Sequence, residues 1–224
     1  MFFFLESVMR KFNCVYSIGF RCGTEMILKE MGLVKFSSIF GSCCVGNIDK
    51  LISCLDTRFD VLFNPANLIY VKDVPEFKKL NDEHGSNRTL NKVLDDVNDW
   101  HCATIAHHDM SIETVKNHFE RSVTRFYKLI NHSIPTLFVY TGPSIFLWKC
   151  RELIERLKQE KTINFHILFC NFVEKSDTVK RYEDNYMTLY DVDHENKLHE
   201  ILQDYDLSNL VTIDDIDARR LFII

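Results

Sequence analysis

Glycine and proline are scarce in this chain, seven and four among 224 residues, which leaves little room for flexible linkers. The eight cysteines, at 14, 22, 43, 44, 54, 102, 150 and 170, form no Cys-x-x-Cys pair and no regular framework. Several lie in apolar runs, where a free thiol packs as a small hydrophobe, so a reducing, cytoplasmic setting is expected. No apolar run reaches the length of a membrane span. Met1-Phe-Phe-Phe-Leu meets Glu6 at once and has no basic region before it, so it fails as a secretory signal and reads as a first strand or docking segment. Basic charge is also short: 27 Lys and Arg stand against 32 Asp and Glu, a net of −5, dispersed except at Arg219-Arg220. Nucleic acid is therefore not an expected partner. Internal repeats, a glycine-rich dinucleotide fingerprint and a phosphate-loop spacing are all absent, and no cofactor is implied.

What is present is a globular composition, 46% hydrophobic and 26% charged with 18 Phe, in a chain long enough to bury roughly 70% of its unfolded surface. The expected fold is a single α/β domain over 1–224, a Rossmann-like, mostly parallel sheet flanked by helices. Its 13–135 part bears the chemical motifs and its 136–224 part a βαβ unit. In the first part, Cys14 to Gly19 reads as a strand, and a helix from Thr24 to Met31 follows, closed by Gly32. A second helix is expected over 47–57, with Ile48, Leu51, Ile52 and Leu55 on one face. The polar run 81–88 reads as an exposed loop. Ser111 is expected to cap a helix reaching Asn131, with an apolar stripe from Ile112 to Ile130.

After Pro135 the alternation becomes regular. Strand 136–140, helix 147–159 and strand 164–171 carry near-continuous apolar runs, the mark of a parallel strand buried on both faces. A strand at 186–190, a helix at 194–205 and a strand at 210–213 extend the pattern.

Cys22 is the sharpest chemical candidate, because the first turn of a helix offers unpaired N–H groups and a positive dipole end that favour thiolate. Arg21 beside it pushes in the same direction. The alternative is a small residue closing a strand-to-helix turn. Nucleophilic chemistry also needs a base and a group that orients it, and His107, His108 and Asp109 supply both, with His108 preferred as base. The alternative for this run is a loop in which Asp109 or Ser111 caps the following helix. Arg121 and Arg125, one turn apart, form either an anion clamp or a solvated face paired with acids such as Glu120. Thr141 and Gly142, in a turn after a strand, offer N–H groups to a phosphate, although Pro143 removes one donor. The Cys and His residues lack the paired spacing of a structural zinc site, so no metal is expected.

Three segments resemble, in order over 14–172, a family described as putative papain-like cysteine peptidases. Ser17-Ile-Gly-Phe-Arg-Cys22, then Leu28, Gly32-Leu33 and Lys35-Phe36-Ser37, is similar to its opening Leu-Gly-x-x-Cys, helix and Phe-Ser. His107-His108-Asp109, with Arg121 and Arg125-Phe126, is similar to its His-His-Asp and basic helix. Leu137-Phe-Val-Tyr and Ile167-Leu-Phe-Cys-Asn171 are similar to its closing βαβ section. Where the family carries Pro-Phe-Asp-Trp, this chain has Ile39-Phe40-Gly41-Ser42, so that acid is absent. The resemblance implies a thiol-dependent hydrolase in which Cys22 attacks a carbonyl, His108 is base then acid and Asp109 orients the ring. Its substrate, a peptide or a small molecule, and its oligomeric state are not legible. Two other readings stay open: a domain binding or transferring a nucleotide-sugar or phosphorylated group through Arg121, Arg125, Thr141 and Gly142, and an inactive interaction protein.

Overall fold

The structure is a computed structural model that describes residues 9–19, 22–74, 88–94, 108–132, 134–160, 164–174 and 177–212. In chain order, β1 (Arg10–Lys11) and the wholly buried β2 (Cys14–Ser17) precede α1 (Cys22–Glu30). A 3-10 turn at Ile39–Gly41 leads to α2 (Ile48–Asp56), whose Asn47 cap accepts the Lys50 N–H at 3.0 Å, and to the short α3 (Asp60–Phe63). Strands β3 (Leu68–Tyr70) and β4 (Thr89–Asn91) form an antiparallel pair before the long α4 (Glu113–Asn131). The second part runs β5 (Thr136–Pro143), α5 (Leu147–Lys158), β6 (Phe165–Phe172), β7 (Val179–Glu183), β8 (Met187–Val192), α6 (Leu198–Ile201) and β9 (Tyr205–Asp206).

The central sheet has the order β2-β5-β6-β8-β7, parallel except for β7, so the expected α/β architecture with a mostly parallel sheet is the observed one. Alternate residues of each strand feed opposite faces. Tyr16, Phe138, Tyr140, Ile167 and Phe169 pack with α2, α4 and α5, whereas Val15, Leu137, Val139, Leu168 and Cys170 pack with α1 and α6. Burial on both faces explains why β5 and β6 read as unbroken apolar runs. Since β2 is an edge strand, the chain between α1 and α2 wraps that edge from one face to the other, and the 3-10 turn there touches both α1 and α4.

Three expectations are corrected. Ser111 does not cap α4: its amide and hydroxyl both donate to Asp109 Oδ1, at 2.9 and 2.6 Å, and Ile112 holds the cap position with no side-chain bond. The short carboxylate reaches its own backbone two residues on and closes a turn before the helix starts. The helix expected over 194–205 breaks into a 3-10 turn, the single turn α6 and another 3-10 turn, because Tyr205 and Asp206 must extend to pair with β1. Residues 210–212 form no strand, and the Val211 N–H donates to Asn13 O at 2.8 Å. The sequence also shows no sign of β7, whose Val-Lys-Arg-Tyr-Glu is almost wholly exposed and so carries no apolar pattern. The amino-terminal segment, Arg21 and the loop at 81–87 lie outside the described residues. No helix among the described residues is long and apolar enough to cross a membrane.

Candidate functional site

Cys22 is the first residue of α1 and is half-buried. It stands at the carboxyl end of the sheet, where ligands of open parallel sheets bind. Two contacts hold it there. Thr24 Oγ1 and Thr141 Oγ1 share a hydrogen bond of 2.6 Å, tying the start of α1 to β5. Gly19 makes the approach possible: a Cβ there would lie 2.8 Å from Thr24 Oγ1 and 3.2 Å from Thr141 N, closer than carbon atoms pack. The Cys22 and Thr141 segments therefore converge. Four other thiols are disfavoured by their surroundings, for burial pushes those of Cys14, Cys54 and Cys150 up to about 12 and that of Cys170 up as well.

One turn along α1, Glu25 is only 1% exposed. Its Oε2 accepts the Ser38 N–H at 2.9 Å and the Ser38 hydroxyl, while Lys29 Nζ stands 2.6 Å from Oε1. The carboxylate fills the side-chain space of Gly41, where a Cβ would overlap it.

The neighbouring Ser42 hydroxyl lies 3.4 Å from His118 Nε2 on α4. Burial depresses the His118 pKa first, Arg121 and Arg125 depress it further, and Glu25 partly opposes them. The imidazole is thus held neutral at pH 7, the state a general base requires. Arg121 is exposed and Arg125 half-buried, and neither forms an ion pair among the described residues; Glu120 pairs with Lys116 instead, at 3.9 Å.

The His-His-Asp run is placed in part. His107 lies outside the described residues. His108 is half-buried with its ring edge-on to Phe119, 6.1 Å between centroids, and its carbonyl accepts Thr89 Oγ1 at 3.1 Å. Asp109 is 6% exposed, and both its oxygens are engaged: Oδ1 by Ser111 and Oδ2 by Lys72 Nζ at 2.7 Å. Burial raises its pKa, yet the bonds from Lys72 and Ser111 outweigh that and hold it below the ordinary carboxylate range. Thr141 and Gly142 lie inside β5, paired with Cys170 and Asn171, so the turn starts later than the sequence suggests, at Ser144. Among the described residues no three His, Cys, Asp or Glu side chains gather as metal ligands.

Two members of this cluster escape sequence reasoning. Glu25 looks like any acid in a helical first turn. His118 carries a usable signal, since with Arg121 and Arg125 it falls at i, i+3 and i+7 on one face of α4. A family model described as Putative papain-like cysteine peptidase matches residues 13–175. No protein of curated function and no solved structure matches the chain.

Proposed function

The chain belongs to the putative papain-like cysteine peptidase family, and from that premise we propose a thiol-dependent hydrolase whose nucleophile is Cys22. The supporting observation is its place: a half-buried thiol opening α1 at the carboxyl end of the sheet, one turn from the Glu25–Ser42–His118 cluster. The Sγ adds to the carbonyl carbon of an amide or ester. A base takes the thiol proton and returns it to the departing amine or alcohol, leaving a thioester that water cleaves. Free N–H groups of the first turn of α1 face the developing oxyanion.

His118 serves as the base, because its neighbours keep it neutral and the 3-10 turn that contacts α1 brings Ser42 against it. His108, with His107 and Asp109, is the competing set, and the carboxylate of Asp109 is already engaged by Lys72 and Ser111. Arg121 and Arg125 lie close enough to His118 to depress its pKa and form no ion pair among the described residues, which suits a substrate bearing a carboxylate or phosphate beside the bond cleaved.

Iodoacetamide labelling followed by peptide mass spectrometry tests the assignment. At pH 6, Cys22 should react roughly tenfold faster than Cys44, the other half-buried thiol among the described residues. His118→Ala should erase that advantage and His108→Ala should leave it. Equal rates for the two thiols would sink the nucleophile assignment, and loss in His108→Ala alone would transfer the base to His108.

A further inference from the structure

A cleft of about 430 Å³, separate from the cysteine cluster, opens between the amino end of α2 and the β5–α5 turn. Its volume falls in the range of small-molecule sites. Gly46, Asn47 and Ile48 form one wall, and Phe146 and Trp148 the other. These two rings are 57% and 61% exposed, unusual for side chains of such apolar area. Tyr140 lines the cleft from within the sheet. It is 2% exposed, and its ring packs on Phe169, 5.9 Å between centroids. Its ring is buried in the core while the residue borders the cleft, which leaves the hydroxyl to whatever enters there.

The walls are held rigid. Ser144 takes a left-handed conformation, φ 55°, and the next amide, Ile145 N–H, donates to Asn171 Oδ1 at 2.8 Å. Asn171 in turn donates to Asp191 at 2.7 Å. The one cation on the cleft wall among the described residues, Lys149, is paired with Asp49 and with Glu152 at 2.9 Å, and its ammonium lies over the Trp148 ring, 4.4 Å from the centroid. Asp49, Lys149 and Glu152 together carry one net negative charge, so no free positive charge faces the cleft from these residues. A phosphate finds no counter-charge there, whereas a flat neutral ring finds two open aromatic side chains and a hydroxyl.

We propose that this cleft binds a small molecule through an uncharged aromatic ring with a hydrogen-bonding edge, the chemistry of a nucleobase, packed against Trp148 and Phe146 and bonded to the Tyr140 hydroxyl. Burial and the nearby Asp49 push the phenol pKa up, so the hydroxyl stays protonated and able to donate. The site uses none of the proposed hydrolase residues and stands apart from that reading.

The test titrates adenosine, guanosine, cytidine and uridine into the full chain by calorimetry, with Cys22→Ala, Tyr140→Phe and Trp148→Ala in parallel. At least one nucleoside should bind, with equal affinity to Cys22→Ala. Tyr140→Phe, which removes one oxygen and leaves no cavity, should weaken it roughly fivefold. Trp148→Ala, on an exposed side chain, should weaken it roughly tenfold or more. The monophosphate should bind no tighter than the nucleoside. Absence of binding by all four, affinity unchanged in both variants, or competition by inorganic phosphate would each overturn the assignment.

Discussion

Alanine at position 41 should destabilise the protein by about 3 kcal/mol, the combined order of overpacking and of disturbing a buried charge. The added methyl would overlap the Glu25 carboxylate, and neither partner can step aside freely. Phe40 and Ile39 beside it are fully buried, and Glu25 is fixed by Ser38 and Lys29. For a chain of this size the loss corresponds to a fall in Tm of about 6 to 12 °C. A double-mutant cycle with Glu25→Ala isolates the cause, since removing the carboxylate clears the space the methyl needs. Gly41→Ala should then cost little more, and an equal cost in both backgrounds would show that the two positions do not compete.

Stability should fall by about 3 kcal/mol as pH drops from about 6.5 to about 4, through His166 alone. This histidine lies in β6, 1% exposed. Its Nδ1 accepts from Arg10 at 2.8 Å and its Nε2 faces Thr188 Oγ1 at 2.8 Å, a pairing that fits the neutral ring with a proton on Nε2. Burial pulls the pKa down to about 4, opposed by the Asn185 carbonyl and assisted by the charge of Arg10. The unfolded chain takes up its proton near 6.5, so between the two values it binds more protons than the native state, and each step down in pH favours unfolding. Urea titrations at pH 7.5, 6 and 5 read the slope. His166→Gln, which can still accept from Arg10 and donate to Thr188, should flatten it to what His118 and the other groups contribute. An unchanged slope in that variant would place the titration elsewhere.

The legible parts of the fold share one property, that their burial is decided within a few residues of sequence. β5, α5 and β6 announce themselves because a strand covered on both faces must be apolar throughout and a helix covering it must be apolar on one side. Asn47 and the stripe of α2 are equally local. Elements whose existence depends on a distant partner were not legible. β9 forms because β1, nearly two hundred residues earlier, lies alongside it, and that pairing truncates a helix the local pattern would have continued. Among the described residues β7 is paired on one edge only, and it leaves no apolar trace.

The same division runs through the candidate site. Residue order alone determined that a cysteine would open the first helix after a strand, since Gly19, Cys22 and the periodicity of α1 are neighbours in the chain. Only tertiary structure decided which acid and which imidazole meet near it. Glu25 reaches the space of Gly41 because the chain wraps the edge of β2, and His118 reaches Ser42 because α4 packs on the far face of the same sheet. Spacing along a chain fixes which residues share one helix face, whereas the partners from separate elements are chosen by how layers close over a core, a long-range outcome that no single segment encodes.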